Sequence, residues 1–75
     1  MTPDKIIRMA NQIARFMESK SPAEGIDTFA QHINDFWEPR LRQQFFVIVD
    51  NGAQGLHPIA VEAAPMIRRP AAGRG

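Results

Sequence analysis

At 75 residues the chain makes one domain at most, and a domain of that size hides only about 60% of the surface its unfolded form exposes. It has no cysteine, which excludes disulfides, and its 44% hydrophobic and 23% charged content is that of a folded soluble chain rather than a disordered one. The net charge of +1 hides an asymmetry: three of the nine basic residues, Arg68, Arg69 and Arg74, fall after residue 67, so residues 1–67 hold six basic against eight acidic groups, which argues against broad phosphate-backbone binding.

The opening Met1-Thr2-Pro3-Asp4-Lys5 lacks the apolar core of a signal peptide, and no later run approaches the roughly 20 apolar residues of a membrane span. A cytoplasmic location without membrane contact is expected. Thr2-Pro3 is a helix start, because threonine caps free N–H groups and proline in first place loses no hydrogen bond. Ile6, Met9, Ala10, Ile13 and Met17 then recur at helical spacing, widened by Ile7, Ala14 and Phe16, with polar residues opposite. The spacing predicts a first helix over Pro3 to Ser19.

Ser21-Pro22-Ala23-Glu24 has the form of a capping box, in which serine and glutamate satisfy each other's backbone donors, and it predicts a second helix. Ile26, Phe29, Ala30, Ile33, Phe36 and Trp37 form its apolar face, and Gly25 weakens its first turn. Pro39 pushes Glu38 out of the helical region, so the second helix ends there and a third begins at once.

Leu41, Phe45, Ile48 and Val49 share one face of that third helix, but Phe46 and Val47 point elsewhere, so the segment is apolar nearly all round. Residues 45–49 also suit a strand, and Asn51-Gly52 is a hairpin signal. Helix is the reading adopted, because no alternating partner strand follows the turn. After the loop Gly52-Ala53-Gln54-Gly55, the residues Leu56, Ile59, Ala63 and Met66 predict a short fourth helix opened by Pro58 and distorted or ended by Pro65. The expectation is an all-α fold: a small bundle of three to four short helices in one domain, 1–67, followed by a frayed, basic C-terminal tail, 68–75.

Little in this pattern offers chemistry. His32, Asp35 and Glu38 are poorly spaced for a metal, since Glu38 lies six positions from His32 near a helix end. His57, before Pro58, suits a helix cap or a partner contact, with no nucleophile or carboxylate pair placed beside it. Gly52 and Gly55 are too few for a phosphate cradle. Arg40 and Arg42 beside Trp37 raise the alternative of a helix-turn-helix DNA reader, but the apolar run 45–49 follows them where a polar reading surface is needed. Phe46 and Val47, outside the core stripe, either meet the fourth helix or meet another protein. A partner-binding surface of Trp37, Arg40, Arg42 and Phe46 is the expectation, since an aromatic anchor beside arginines is the composition that dominates binding hot spots; the alternative is that Trp37 simply plugs the core beside Phe36.

Two blocks carry a resemblance: residues 3–14, Pro-Asp-Lys-Ile-Ile-Arg-Met-Ala-Asn-Gln-Ile-Ala, and residues 32–40, His-Ile-Asn-Asp-Phe-Trp-Glu-Pro-Arg. With Leu56 to Arg68 they resemble the delta subunit of the soluble, NAD-dependent, molybdenum- or tungsten-containing formate dehydrogenases. The run 45–51 is more apolar than that family's pattern. The resemblance implies an accessory subunit without active site or cofactor of its own, whose partner is the catalytic (alpha) subunit. The molybdopterin-type cofactor, iron–sulfur clusters and FMN would then sit on other subunits. The missing cysteines agree, since iron–sulfur ligation needs thiolates. A maturation chaperone for the apo catalytic subunit is the alternative role.

Overall fold

In the computed structural model, which describes residues 2–70, four helices follow one another: α1 (Pro3–Met17), α2 (Pro22–Phe36), α3 (Pro39–Asp50) and α4 (Pro58–Ala63). A 3₁₀ turn, Ala64–Met66, extends α4. All four helices open on proline, and the residue before each is extended, with ψ between 144° and 163°. One steric rule explains both facts: proline bars the preceding residue from the helical region, and extended backbone is the conformation of an N-cap. Thr2 and Ser21 use it to accept from the N–H groups of Lys5 and Glu24. Only the serine half of the expected capping box forms, since no bond returns from the Glu24 side chain to Ser21 among the described residues.

The helix ends differ slightly from expectation. α1 stops at Met17 rather than Ser19, its last turn tightened by the Glu18 N–H on the Arg15 carbonyl. α2 stops at Phe36, and Trp37 is already extended. Residues 45–49 are helical, and among the described residues there is no strand. The C-terminus of α3 unwinds through Gly52 (φ 104°), Ala53 (φ 56°) and Gly55 (φ 85°), three left-handed residues that turn the chain back toward α1.

α1 touches all three other helices, α4 lies across α2 and α1, and α3 rests mainly on α1. Ile6 and Ala10 of α1, Phe29 and Ile33 of α2, Phe45 of α3, and Ala60 and Ala63 of α4 are fully buried at the shared centre. Burying each of the larger ones contributes about 1.5–3 kcal/mol. Gly25 does more than weaken a helix turn. It is buried where α2 starts against the end of α1, and a Cβ there would lie 2.9 Å from the Met17 carbonyl oxygen, so the close approach of the two helices requires glycine.

Candidate interaction surface

Two asparagines on separate helices fasten α4 at its two ends. On α1, the Asn11 Nδ2 donates to the Gly55 carbonyl (2.8 Å) while its Oδ1 accepts from the His57 N–H (2.8 Å). On α2, the Asn34 Nδ2 donates to the Met66 carbonyl (3.2 Å) while its Oδ1 accepts from the Arg68 N–H (2.8 Å). In each case a side-chain amide gives to one carbonyl and takes from the N–H two residues later, as a neighbouring strand would. The pattern also fixes which way each amide points, since the reverse would set N–H against N–H.

His57 completes the first of these junctions. Its Nδ1 accepts from the Ile59 N–H and caps α4, so the proton of the neutral ring lies on Nε2, which faces a carboxylate oxygen of Glu18. The helix-cap reading of His57 thus matches its geometry. His32 instead lies against the Phe36 ring, 4.9 Å between centroids, on the outer surface of α2.

The four residues expected to meet a partner divide by burial. Trp37 is 6% exposed and stands edge-on to Phe45, and Phe46 is 4% exposed, so both belong to the chain's own core. Arg42 is committed internally: its Nε donates to the Trp37 carbonyl (3.1 Å) and a terminal nitrogen donates to the Arg68 carbonyl, which locks the corner at Pro39 and the departing chain together. Arg40 is exposed and, among the described residues, makes no ion pair or side-chain hydrogen bond. Of the two apolar residues off the core stripe of α3, Phe46 is buried against Phe45 and faces Val61 across an open cleft, while Val47 is 55% exposed.

The start of the expected tail is tied down. Arg69 makes a two-pronged pair with Asp50 (2.8 and 3.1 Å) and lays its guanidinium 4.1 Å over the Phe46 ring. The Arg69 hydrogen bonds hold the Asp50 carboxyl below its ordinary range, and the pair in turn raises Arg69. The rest of the expected tail, 71–75, lies outside the described residues. Large apolar side chains also face outward elsewhere, with Phe16 72%, Phe36 73% and Met66 46% exposed. Sequence reasoning put Phe16 and Phe36 on the inner faces of their helices; both lie at the edge of the stripe, where the partner helix does not reach.

The family model described as "NADH-dependant formate dehydrogenase delta subunit FdsD" matches residues 5–64, which takes in nearly the whole helical body. The chain belongs to this delta-subunit family. It is accordingly a subunit of a formate dehydrogenase complex, as the resemblance to that family implies. Neither the curated proteins nor the solved structures give a match. In this delta subunit, among the described residues, no helix is long and apolar enough to cross a membrane, and no three His, Asp or Glu side chains come together as a metal site.

Proposed function

We propose that the chain is a resident, non-catalytic accessory subunit that binds the catalytic (alpha) subunit of formate dehydrogenase and stabilises the assembled complex. The family match over residues 5–64 carries this reading. Two features of the chain support it. Without cysteine it has no thiolates for an iron–sulfur cluster, which fits the reading that the clusters, like the molybdopterin-type cofactor and FMN, sit on other subunits. Its outward-facing Phe16, Phe36, Val47 and Met66 leave apolar surface that a second protein would cover.

Stabilisation here means mass action: a helical body that binds only the assembled, cofactor-loaded form raises that form's share by RT ln(1 + [L]/Kd), about 2.7 kcal/mol at a hundredfold excess over Kd. A tagged pull-down from formate-grown cells, with bound proteins identified by mass and assayed for formate-dependent NAD reduction, tests the reading. Active dehydrogenase at a fixed ratio to the tagged chain is the expected result. Recovery of the cofactor-free catalytic chain alone would make the protein a maturation chaperone instead.

A further inference from the structure

His57 holds two bonds through one ring, and only one state of charge serves both. Its Nδ1 accepts from the Ile59 N–H (3.0 Å), and its Nε2 faces a carboxylate oxygen of Glu18. The neutral ring satisfies the two together, with a lone pair on Nδ1 and the proton on Nε2. In the protonated ring both nitrogens are donors, so Nδ1–H points at another N–H and the cap on Ile59 is lost. The Glu18 contact survives that change and becomes an ion pair.

α4 has little else to close its start. Pro58 has no N–H, and the N–H of the next residue is the one that His57 takes. A cation at this position is also opposed by the positive end of the helix dipole. The backbone is held separately: the His57 N–H donates to the Asn11 Oδ1 and the Val61 N–H to the His57 carbonyl, and neither bond uses the ring. Loss of the cap is therefore confined to the first turn of α4. The side chain at that turn is Ile59, which packs on the core and, with Met17, Pro22, Ile26 and Pro58, lines an apolar cleft of about 240 Å³.

The charged groups around this cleft are Glu18 and Lys20 at and beyond the end of α1 and Glu62 on α4, while α2 brings Pro22 and Ile26, which carry none. Among the described residues only Glu18 bonds the His57 ring. We propose that His57 is a proton-operated latch: uncharged, it caps α4 and seats Ile59 on the core; charged, it passes its hold to Glu18 and frees the first turn of α4. Histidine is the side chain that ordinarily changes charge between about pH 5 and pH 8. The starts of α1 and α2 are capped by the hydroxyls of Thr2 and Ser21, which do not titrate there, so the response belongs to α4. The latch is a property of the chain itself and does not depend on the accessory-subunit reading.

The test follows the ¹⁵N-labelled full chain by NMR from about pH 8 to about pH 5. Ring nitrogen signals report where His57 carries its protons, and exchange of the Ile59 amide, relative to an unstructured chain, reports the cap. The Lys5 and Glu24 amides, capped by hydroxyls, are the internal references. At the alkaline end the ring proton is expected on Nε2. As the ring gains its second proton, protection of Ile59 is expected to fall about fivefold, the loss of one cap bond, while Lys5 and Glu24 stay within about twofold. His57→Asn, a neutral cap, is expected to hold Ile59 protection level across the range. A ring proton on Nδ1 at the alkaline end, Ile59 protection that stays level while the ring charges, or a ring still neutral at about pH 5 would each overturn the inference. So would the same pH dependence persisting in His57→Asn, which would assign it to another group. The wild-type ring and amide signals decide the matter by themselves if that variant does not fold.

Discussion

Asn11 and Asn34 make the same pair of hydrogen bonds to the two ends of α4, yet they serve different purposes. The Asn11 bonds close the fold: they hold a turn with three left-handed residues against α1, beside the His57 cap and the Glu18 contact, and the N–H they satisfy is partly buried. The Asn34 bonds lie at the surface and fix the departing chain, just before the point where Arg69 lies over Phe46. One polar device in two burial contexts gives stability in the first case and presentation of a surface in the second. An unmet donor is costly away from water and cheap beside it.

The largest effect should come from breaking the partly buried member. Asn11→Ala leaves the His57 N–H without its partner and frees the 55–57 segment, a loss of about 2 kcal/mol. In a domain this small that lowers the melting temperature by about 10 °C, readable by circular dichroism. Binding to the rest of the enzyme, measured well below that temperature, should change little.

Asn34→Ala should show the opposite profile. Water replaces the lost exposed bonds, so stability falls by about 1 kcal/mol or less. Affinity for the remaining subunits should fall by more than stability does, because Arg68 loses the bond that sets its backbone, although its side-chain bond to the Asn34 main-chain carbonyl remains. Equal affinity of Asn34→Ala and wild type would remove the presentation role from this asparagine.

The contrast also marks where the sequence was readable. Helix starts were legible because their cause is local: Thr2-Pro3, Ser21-Pro22, Glu38-Pro39 and His57-Pro58 each set the backbone by sterics between adjacent residues. The core stripes of α1 and α2 were legible for the same kind of reason, through their period. The asparagine bonds were not, because they join residues 32 to 46 positions apart, and an asparagine on a helix surface gives no sign of what folds onto it. Trp37 and Arg42 carry the same lesson for the candidate surface. Their residue types suggest a partner, but the corner at Pro39 turns the indole inward and puts the Arg42 fork within reach of two carbonyls. Gly25 reads as a propensity defect until the backbone of the neighbouring helix is in place.

A smaller change sharpens the Asn11 side. Ala53 is the one non-glycine residue with positive φ among those described, at 56°, inside the turn that Asn11 holds. The left-handed region costs an L-residue about 1–2 kcal/mol, and glycine recovers part of that while losing more chain entropy on folding. Ala53→Gly should therefore stabilise by about 0.5 kcal/mol, a rise of a few degrees in melting temperature. A decrease would mean the turn is not strained at this residue.

The smallest effect concerns the Asn34 side, where Asp50 and Arg69 hold the chain beyond Arg68 over Phe46. Hydrogen bonding from Arg69 lowers the folded-state pKa of Asp50 below its unfolded value of about 3.9. A group shifted in that direction contributes stability above its unfolded pKa and loses it as pH falls through the folded one. Asp50→Asn should thus melt slightly below wild type at pH 7, and the gap should close as the pH drops below about 4. Because both side chains are more than half exposed, about 0.5 M salt should narrow the same gap at pH 7. If partner affinity is compared as well, Asp50→Asn keeps Arg69 but removes the carboxylate it pairs with, leaving that guanidinium unneutralised. Tighter binding of this slightly less stable variant would mean that charge at this end of the molecule is held for a partner rather than for the fold.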